Sequence, residues 1–356
     1  MRIITISNMY PTEKNPVRGI FVKRMLCGLS YMGLDVEAKV VLGLSNHDGY
    51  FKKLILYLRF FKEAARAAAN AEPEDIVLVQ FPTLSGIPMI FAGPLSSRVV
   101  FNFHGTDVLP TTIIGRILFA FMKKYLMRYC NDAIFPSDFL LKKASQKLGL
   151  NHTNAIISPS GGYDAQIFSP GCRSSHSGRV CIAFISRISK EKGIFIFLNI
   201  IQLIIEKCSS NIDFRIQGSG EDEEEVMAEL RRRDLLDVVD IRFRSAELSS
   251  STFADVDVLV MPSLLSESLG LVGIEALACG VPVVASDGCG YATYIDNGVN
   301  GFLAPKGNIE RFADAIIAII EMPLTARKAL RERAIKSVES FERRNVSERL
   351  VKDLLR

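Results

Sequence analysis

Four side chains in the second half of the chain stand where they could do chemistry together. In FISRISKEKGIFIF (184–197), Arg187 and Lys192 follow a strand-like run and Gly193 opens a helical pattern. In SESLGLVGIEALACG (266–280), Glu267 and Glu275 flank Gly270 and Gly273. A helix N-terminus presents N–H groups and partial positive charge, and Arg and Lys add full charges, so the first stretch suits a phosphate or diphosphate. In the second stretch Pro262 and Ser263 close a strand, a loop carries Glu267, and a helix begins at Gly270 or Leu271. Glycine at that turn lets a ligand come close to the backbone. Glu267 in the loop would accept hydrogen bonds from ligand hydroxyls. Glu275, about one turn into the helix, is a poor neighbour for a phosphate unless it binds something else. A ribose diol fits it, by analogy with the acidic residue of dinucleotide sites. The plainer alternative is a solvated basic loop and two surface glutamates.

In the first half, NFHGTDVLP (102–110) follows the strand-like RVVFNF and puts His104 at the strand's C-terminal edge. Ligands of α/β sheets bind at such edges, although a lone His is more often packed or capping. IQGSGEDEEEV (216–226) has a GxG without the third glycine of a dinucleotide fingerprint, and its acidic run would repel a pyrophosphate, so it reads as a tight turn. Asp255 and Asp257 lead straight into a strand, and no metal is expected there. The seven cysteines show no metal-ligand spacing and read as free thiols of a reducing compartment.

The elements that must hold these residues alternate between short apolar runs and longer helical patterns, the signature of parallel βαβ units. Strands are expected over 2–7, 35–41, 75–81, 98–103, 132–137 and 153–159. The serine-rich DAQIFSPGCRSSHSGR (164–179) looks like a linker, and a second set of strands covers 179–186, 211–218, 238–244, 256–262, 281–286 and 301–304. Nearly unbroken apolar runs point to sheets covered on both faces. A chain of 356 residues then makes two doubly wound α/β domains whose strand ends could face each other across a cleft. The domains are 1–170 and 171–338, followed by a last helix, 339–356. No run is apolar enough to span a membrane, and the N-terminus lacks a signal peptide's apolar core, so the expected place is the cytoplasm. Charge is uneven. Residues 1–170 carry 19 Lys and Arg against 12 Asp and Glu, the remainder 24 against 27, or +7 and −3. Such asymmetry suggests an anionic partner for the first half.

Glu267 and Glu275, with Arg187 and Lys192 upstream and EALACGVPVVAS downstream, resemble the nucleotide-sugar-binding domain of family 4 glycosyltransferases. The resemblance covers most of 180–305 and extends weakly over the whole chain. It implies a GT-B architecture of two Rossmann-like domains, with acceptor binding in the first and donor binding in the second. It implies that Arg187 and Lys192 hold the diphosphate, that Glu275 binds the ribose, and that Glu267 contacts the donor sugar's hydroxyls. Backbone around Gly270, Leu271 and Val272 would approach the sugar and distal phosphate. His104, in an H-G-x-D segment, would contact the transferred sugar or the acceptor beside Asp107. Gly19 would open the first helix beside the phosphates, and PSGGYD (159–164) would help build the hinge and the cleft floor. The last helix would cross back to the first domain.

The same resemblance implies retaining transfer of a hexosyl or N-acetylhexosaminyl group from a nucleotide sugar, a UDP-sugar slightly before GDP-mannose. The acceptor would be a glycan, lipid-linked, in cell-surface polysaccharide synthesis, with no metal or other cofactor. Leu269, Thr293, Arg244 and Ser245 depart from common family residues, which leaves the base and the sugar open. The basic patterns YFKKLILYLRFFKEAARAAA (50–69) and ILFAFMKKYLMRYC (117–130) suit the anionic cytoplasmic face of a membrane, or are a core face with solvated cations. No nucleic-acid-binding module is evident. Two alternatives share the architecture: a non-hydrolysing sugar-nucleotide epimerase and a catalytically silent binding subunit. A nicotinamide dehydrogenase is disfavoured, because neither half has a full GxGxxG after its first strand.

Overall fold

The computed structural model describes residues 1–12, 18–36, 39–42, 49–150, 154–171, 179–208, 211–243 and 248–356. The chain divides into two units, Met1–Gly162 with Arg343–Arg356, and Tyr163–Glu342.

Among the described residues the first unit carries six strands, β1 (Ile3–Ser7), β2 (Lys39–Val41), β3 (Ile76–Gln80), β4 (Arg98–Asn102), β5 (Asp132–Phe135) and β6 (Ala155–Ile157). They form one sheet in the order β2-β1-β3-β4-β5-β6, and every pairing is parallel. Every residue of β1 and β3 is buried. This matches their unbroken apolar runs, because helices cover both faces of a doubly wound sheet. The helix Arg343–Leu354 belongs to this unit. Its Leu350 and Leu354 join Ile3, Val22 and Leu26 in one core, and the Arg98 guanidinium donates to the Leu354 carbonyl at 2.6 Å. Gly28 of the helix Ile20–Tyr31 lies against it, where a Cβ would come 2.1 Å from Ser347 Oγ.

The second unit carries β7 (Val180–Ile185), β8 (Ile212–Gly218), β9 (Val239–Phe243), β10 (Val258–Met261), β11 (Val283–Ser286) and β12 (Gly301–Ala304), ordered β12-β11-β10-β7-β8-β9. All of these pairings are parallel as well. The reversal in this sheet lies between β7 and β10, and in the first sheet between β1 and β3. Chain direction reverses away from the sheet at such a point, so the loops after the two strands part and leave a crevice.

Three expectations are corrected. The linker pattern 164–179 is not free chain at its start. Phe168 is buried with its ring 6.3 Å from Phe253, and Ser250 Oγ donates to the Ile167 carbonyl at 2.7 Å, so 163–171 belongs with the second unit. Residues 172–178 lie outside the described residues. The basic pattern 117–130 is not one helix: Ile113–Phe121 passes into a π turn, Met122–Leu126, and then a short tight helix, Met127–Tyr129. The wider turn buries both Met122 and Leu126 while Lys123, Lys124 and Tyr125 stay outside. The unit boundaries also fall at 162/163 and 342/343 rather than at 170 and 338.

Candidate functional site

In the second unit the loops after β7 and β10 flank the reversal point and bring two of the four predicted side chains, Lys192 and Glu267, into contact. Lys192 Nζ lies 2.6 Å from Glu267 Oε1, and this oxygen also accepts from Ser263 Oγ at 3.1 Å. The two side chains keep only 25% and 14% of their surface exposed, so the pair is better shielded than an ordinary surface bridge, which is worth about 0–1 kcal/mol. Arg187 stands half-exposed and reaches Glu191 Oε2 at 3.3 Å. The Glu191 carbonyl accepts from the Leu264 N–H at 2.9 Å and from Ser263 Oγ at 3.2 Å, which ties the two loops together.

Gly270 caps the helix Leu271–Ala278 with φ of 83°, and Gly193 caps the helix Ile194–Lys207 with φ of 82°. Both positions demand left-handed backbone, and both lie where no Cβ fits. One at Gly193 would sit 2.0 Å from the Pro262 carbonyl oxygen, one at Gly270 2.3 Å from the Tyr291 ring. Gly270 therefore serves the packing beneath it as well as any ligand above. The first-turn residues Leu271 and Val272 are part-exposed, as a donor terminus requires. Glu275 is 2% exposed on this same helix.

The support beneath this turn was not foreseen. Tyr294 Oη donates to the Gly270 carbonyl at 2.9 Å, and the Gly290 N–H donates to the Glu267 carbonyl at 2.8 Å. Burial pushes both Tyr291 and Tyr294 well above the usual phenol range, so they stay protonated donors. Both tyrosines stand in GCGYATYI (288–295), the segment that also holds Thr293. Arg244 and Ser245 lie outside the described residues.

Two other features turn out structural. Gly218 and Gly220 of the GxG run lie against Ser186 and Ile188, where a Cβ would come 1.8 Å and 2.1 Å from their carbonyl oxygens. Asp255 pairs with Arg215 at 2.5 Å, and Asp257 accepts from the Cys181 N–H at 3.0 Å.

In the first unit His104 follows β4, one strand beyond the reversal point. Its ring packs against Phe81 and Phe21, with centroids 4.3 Å and 4.7 Å away, and those two rings also touch each other. Phe81 holds φ of 55°, a left-handed conformation that costs a bulky residue about 1–2 kcal/mol, and it does so at the turn out of β3. Burial of the His104 ring pushes its pKa down to about 3, so it is neutral near pH 7. Asp107 is buried and turned towards the backbone: its carboxylate accepts from the His104 N–H at 3.0 Å and the Gly105 N–H at 2.8 Å. Burial raises its pKa to about 6, against the pull of those N–H groups. It holds the His104 turn rather than projecting to a ligand. Gly19 opens the helix Ile20–Tyr31 at φ of 69°, with the Met9 carbonyl carbon 2.7 Å from where a Cβ would stand. Gly161 in PSGGYD packs on the same helix, 2.7 Å from the Met25 nitrogen by the same measure.

In the second unit, loops at a reversal point that carry cations, a carboxylate and helix N-termini define a nucleotide-type α/β crevice. Comparison with known proteins narrows the class. Residues 173–337, within the second unit, match the family model described as "Glycosyl transferases group 1", so this stretch is similar to that family. A D-inositol 3-phosphate glycosyltransferase of Kribbella flavida is 30% identical over 52% of this chain and 47% of its own. The amylovoran biosynthesis glycosyltransferase AmsK of Erwinia amylovora is 25% identical over 72% and 64%. The chain thus spans about half to two thirds of the length of these curated relatives. Among solved structures, sucrose-phosphate synthase from Thermosynechococcus elongatus superposes with a TM-score of 0.77 at 16% identity, covering 100% of this chain and 99% of that one. Anabaena Alr3699/HepE in complex with UDP-glucose gives 0.74 at 18% identity, with both chains covered in full. At such identities the likeness concerns the fold, which is the α/β, GT-B architecture.

Proposed function

We propose that the chain is a retaining glycosyltransferase. It moves a hexosyl or N-acetylhexosaminyl group from a nucleotide sugar, a UDP-sugar slightly before GDP-mannose, to a lipid-linked glycan in cell-surface polysaccharide synthesis. The observation that carries this reading is the Lys192–Glu267 pair at 2.6 Å, beside a helix opened by Gly270, within the stretch that matches the family. A diphosphate arriving there meets Lys192, Arg187 and backbone N–H groups, while Glu267 accepts from sugar hydroxyls and Glu275 from the ribose.

During transfer the bond from the anomeric carbon to the diphosphate oxygen breaks and a bond to the acceptor oxygen forms on the same face. The acceptor's proton passes to the departing phosphate oxygen. Negative charge builds on that phosphate, and fixed cations and helix N–H groups stabilise charge where it develops. In this reading no metal is required. Glu267 Oε1 is engaged by Lys192 and Ser263, and Asp107 by backbone N–H groups; in this reading neither acts as a covalent nucleophile.

The site of action is the cytoplasmic face of a membrane, where lipid-linked acceptors present their glycans. Among the described residues no helix is long and apolar enough to cross a membrane, and attachment would be peripheral.

The test is thermal-shift binding across UDP-, GDP-, ADP- and dTDP-sugars. A UDP-sugar at about a hundred times its Kd should stabilise the protein by about 2.7 kcal/mol. Lys192→Ala should weaken binding about tenfold or more, since it removes a charge-assisted contact. Glu275→Ala should abolish selectivity for the ribose-bearing ligand over inorganic diphosphate. Nucleotide binding that ignores Lys192→Ala would overturn the donor site, and binding without transfer to any acceptor would return the silent-subunit reading.

A further inference from the structure

Beneath His104 lies a closed polar network that the donor chemistry does not use. Gln80, the last residue of β3, is fully buried, and Asn102, the last of β4, is 2% exposed. Gln80 Oε1 faces His104 Nε2 at 2.8 Å and accepts from Asn102 Nδ2 at 2.9 Å. Both amides turn their NH2 groups to one sulfur: Met25 Sδ lies 3.4 Å from Asn102 Nδ2 and 3.7 Å from Gln80 Nε2.

That sulfur decides the orientation of the amides. A thioether has lone pairs and no hydrogen to give. Turning Asn102 over would set its oxygen against both Met25 Sδ and Gln80 Oε1, two acceptors facing an acceptor. Turning Gln80 over would set its NH2 against that of Asn102. With Gln80 Oε1 thus fixed towards the imidazole, Nε2 must carry a hydrogen, because an unprotonated Nε2 would oppose lone pair to lone pair. A neutral imidazole has one N–H, so the other nitrogen keeps its lone pair.

We infer that Gln80, oriented by Asn102 and Met25, holds His104 as its Nε2–H tautomer and reserves Nδ1 as the hydrogen-bond acceptor offered to a ligand hydroxyl. Gln80, Asn102 and Met25 are positioning residues and touch no ligand. The rings of Phe81 and Phe21 keep the imidazole plane in place. The tautomer stands on the hydrogen bonds alone; the part played by Nδ1 rests on the glycosyltransferase reading.

The two parts are tested separately. Long-range proton–nitrogen NMR of the 15N-labelled full chain reads the tautomer of each histidine. There are four in the sequence, and the spectrum of His104→Gln identifies the signal of interest by its loss. The expected pattern is a pyrrole-like Nε2 and a pyridine-like Nδ1. The reverse pattern, or an average of the two, would overturn the inference in the unmodified protein, whatever the variants do. Gln80→Leu should shift population towards Nδ1–H, and Gln80→Glu, which keeps an acceptor oxygen, should restore the Nε2–H form. With a donor and acceptor in hand, Gln80→Leu should lower kcat/KM about tenfold, the equivalent of one hydrogen bond, with Gln80→Glu recovering part of it. Transfer that proceeds unchanged after the tautomer has shifted would overturn the role of Nδ1 and leave the tautomer standing.

Discussion

At the scale of single residues, the H-G-x-D turn carries two titrations that work against each other. From about pH 3 to 6.5 the unfolded chain takes up a proton on His104 that the folded chain refuses, so this group makes stability rise with pH. Between pH 3.8 and about 6 the folded chain keeps a proton on Asp107 that the unfolded chain releases, so this group makes stability fall with pH. The windows overlap and the slopes oppose. Asp107→Asn removes the falling part, and its stability in urea should therefore climb more steeply between about pH 4 and 6 than that of the unmodified chain. Each tenfold change in proton affinity is worth about 1.4 kcal/mol, well within reach of the measurement. An equal or shallower slope would show that burial does not raise Asp107. His104, Asp107, Lys192 and Glu267 were legible because residue type and local motif mark them. Gln80, Asn102 and Met25 were not: they belong to three separate elements, and nothing in a linear chain says that their side chains meet.

At the scale of elements, the twelve strands among the described residues lie within the runs that predicted them. Central strands such as β3, covered on both faces, are nearly apolar throughout, while the edge strands β2 and β9 are part-exposed. The amphipathic segments of the first unit were harder to read. On the helix Tyr50–Ala69, Phe60 is buried while Tyr50 and Phe51 are 85% and 76% exposed. On the helix Ile113–Phe121, Ile113, Ile114 and Ile117 all stand open, and the helix buries no residue fully. The aromatics of the first helix are thus divided between core and surface, where the sequence left both readings open. Exposed apolar side chains beside Lys52, Lys53, Arg116 and Lys123 suit an anionic lipid surface, to which each cation contributes about 1 kcal/mol. Vesicles containing anionic lipid should retain the protein, and neutral vesicles should not. Ile114→Glu with Ile117→Glu should abolish retention without loss of folding, since neither position is buried. Retention that survives both substitutions and high salt would rule out this face.

At the scale of the molecule, the last helix decides which unit its residues stabilise. Leu350 is 2% exposed and lies in a core with Ile3, Val22 and Leu26, more than three hundred residues away in sequence. Leu350→Ala should cost about 2–5 kcal/mol by lost burial and the cavity left behind. The cost should fall on the first unit. Its thermal transition should drop, while nucleotide-sugar affinity, assigned to the second unit, should stay as it was under conditions where both units remain folded. Loss of that affinity with the fold intact would mean that the donor site draws on the first unit.

The sequence by itself determined the α/β class, the doubled set of strands, and which side chains stand as candidates for diphosphate and hydroxyl contacts. Those depend on hydrophobic period and on short motifs, which are local. Only the tertiary structure decided that Asp107 serves its own backbone, that Tyr291 and Tyr294 underpin the Gly270 turn, and that a sulfur orients two amides beneath His104. These are facts of burial and of contact between distant elements, where removal from water and the need to pair every polar atom select one arrangement among many.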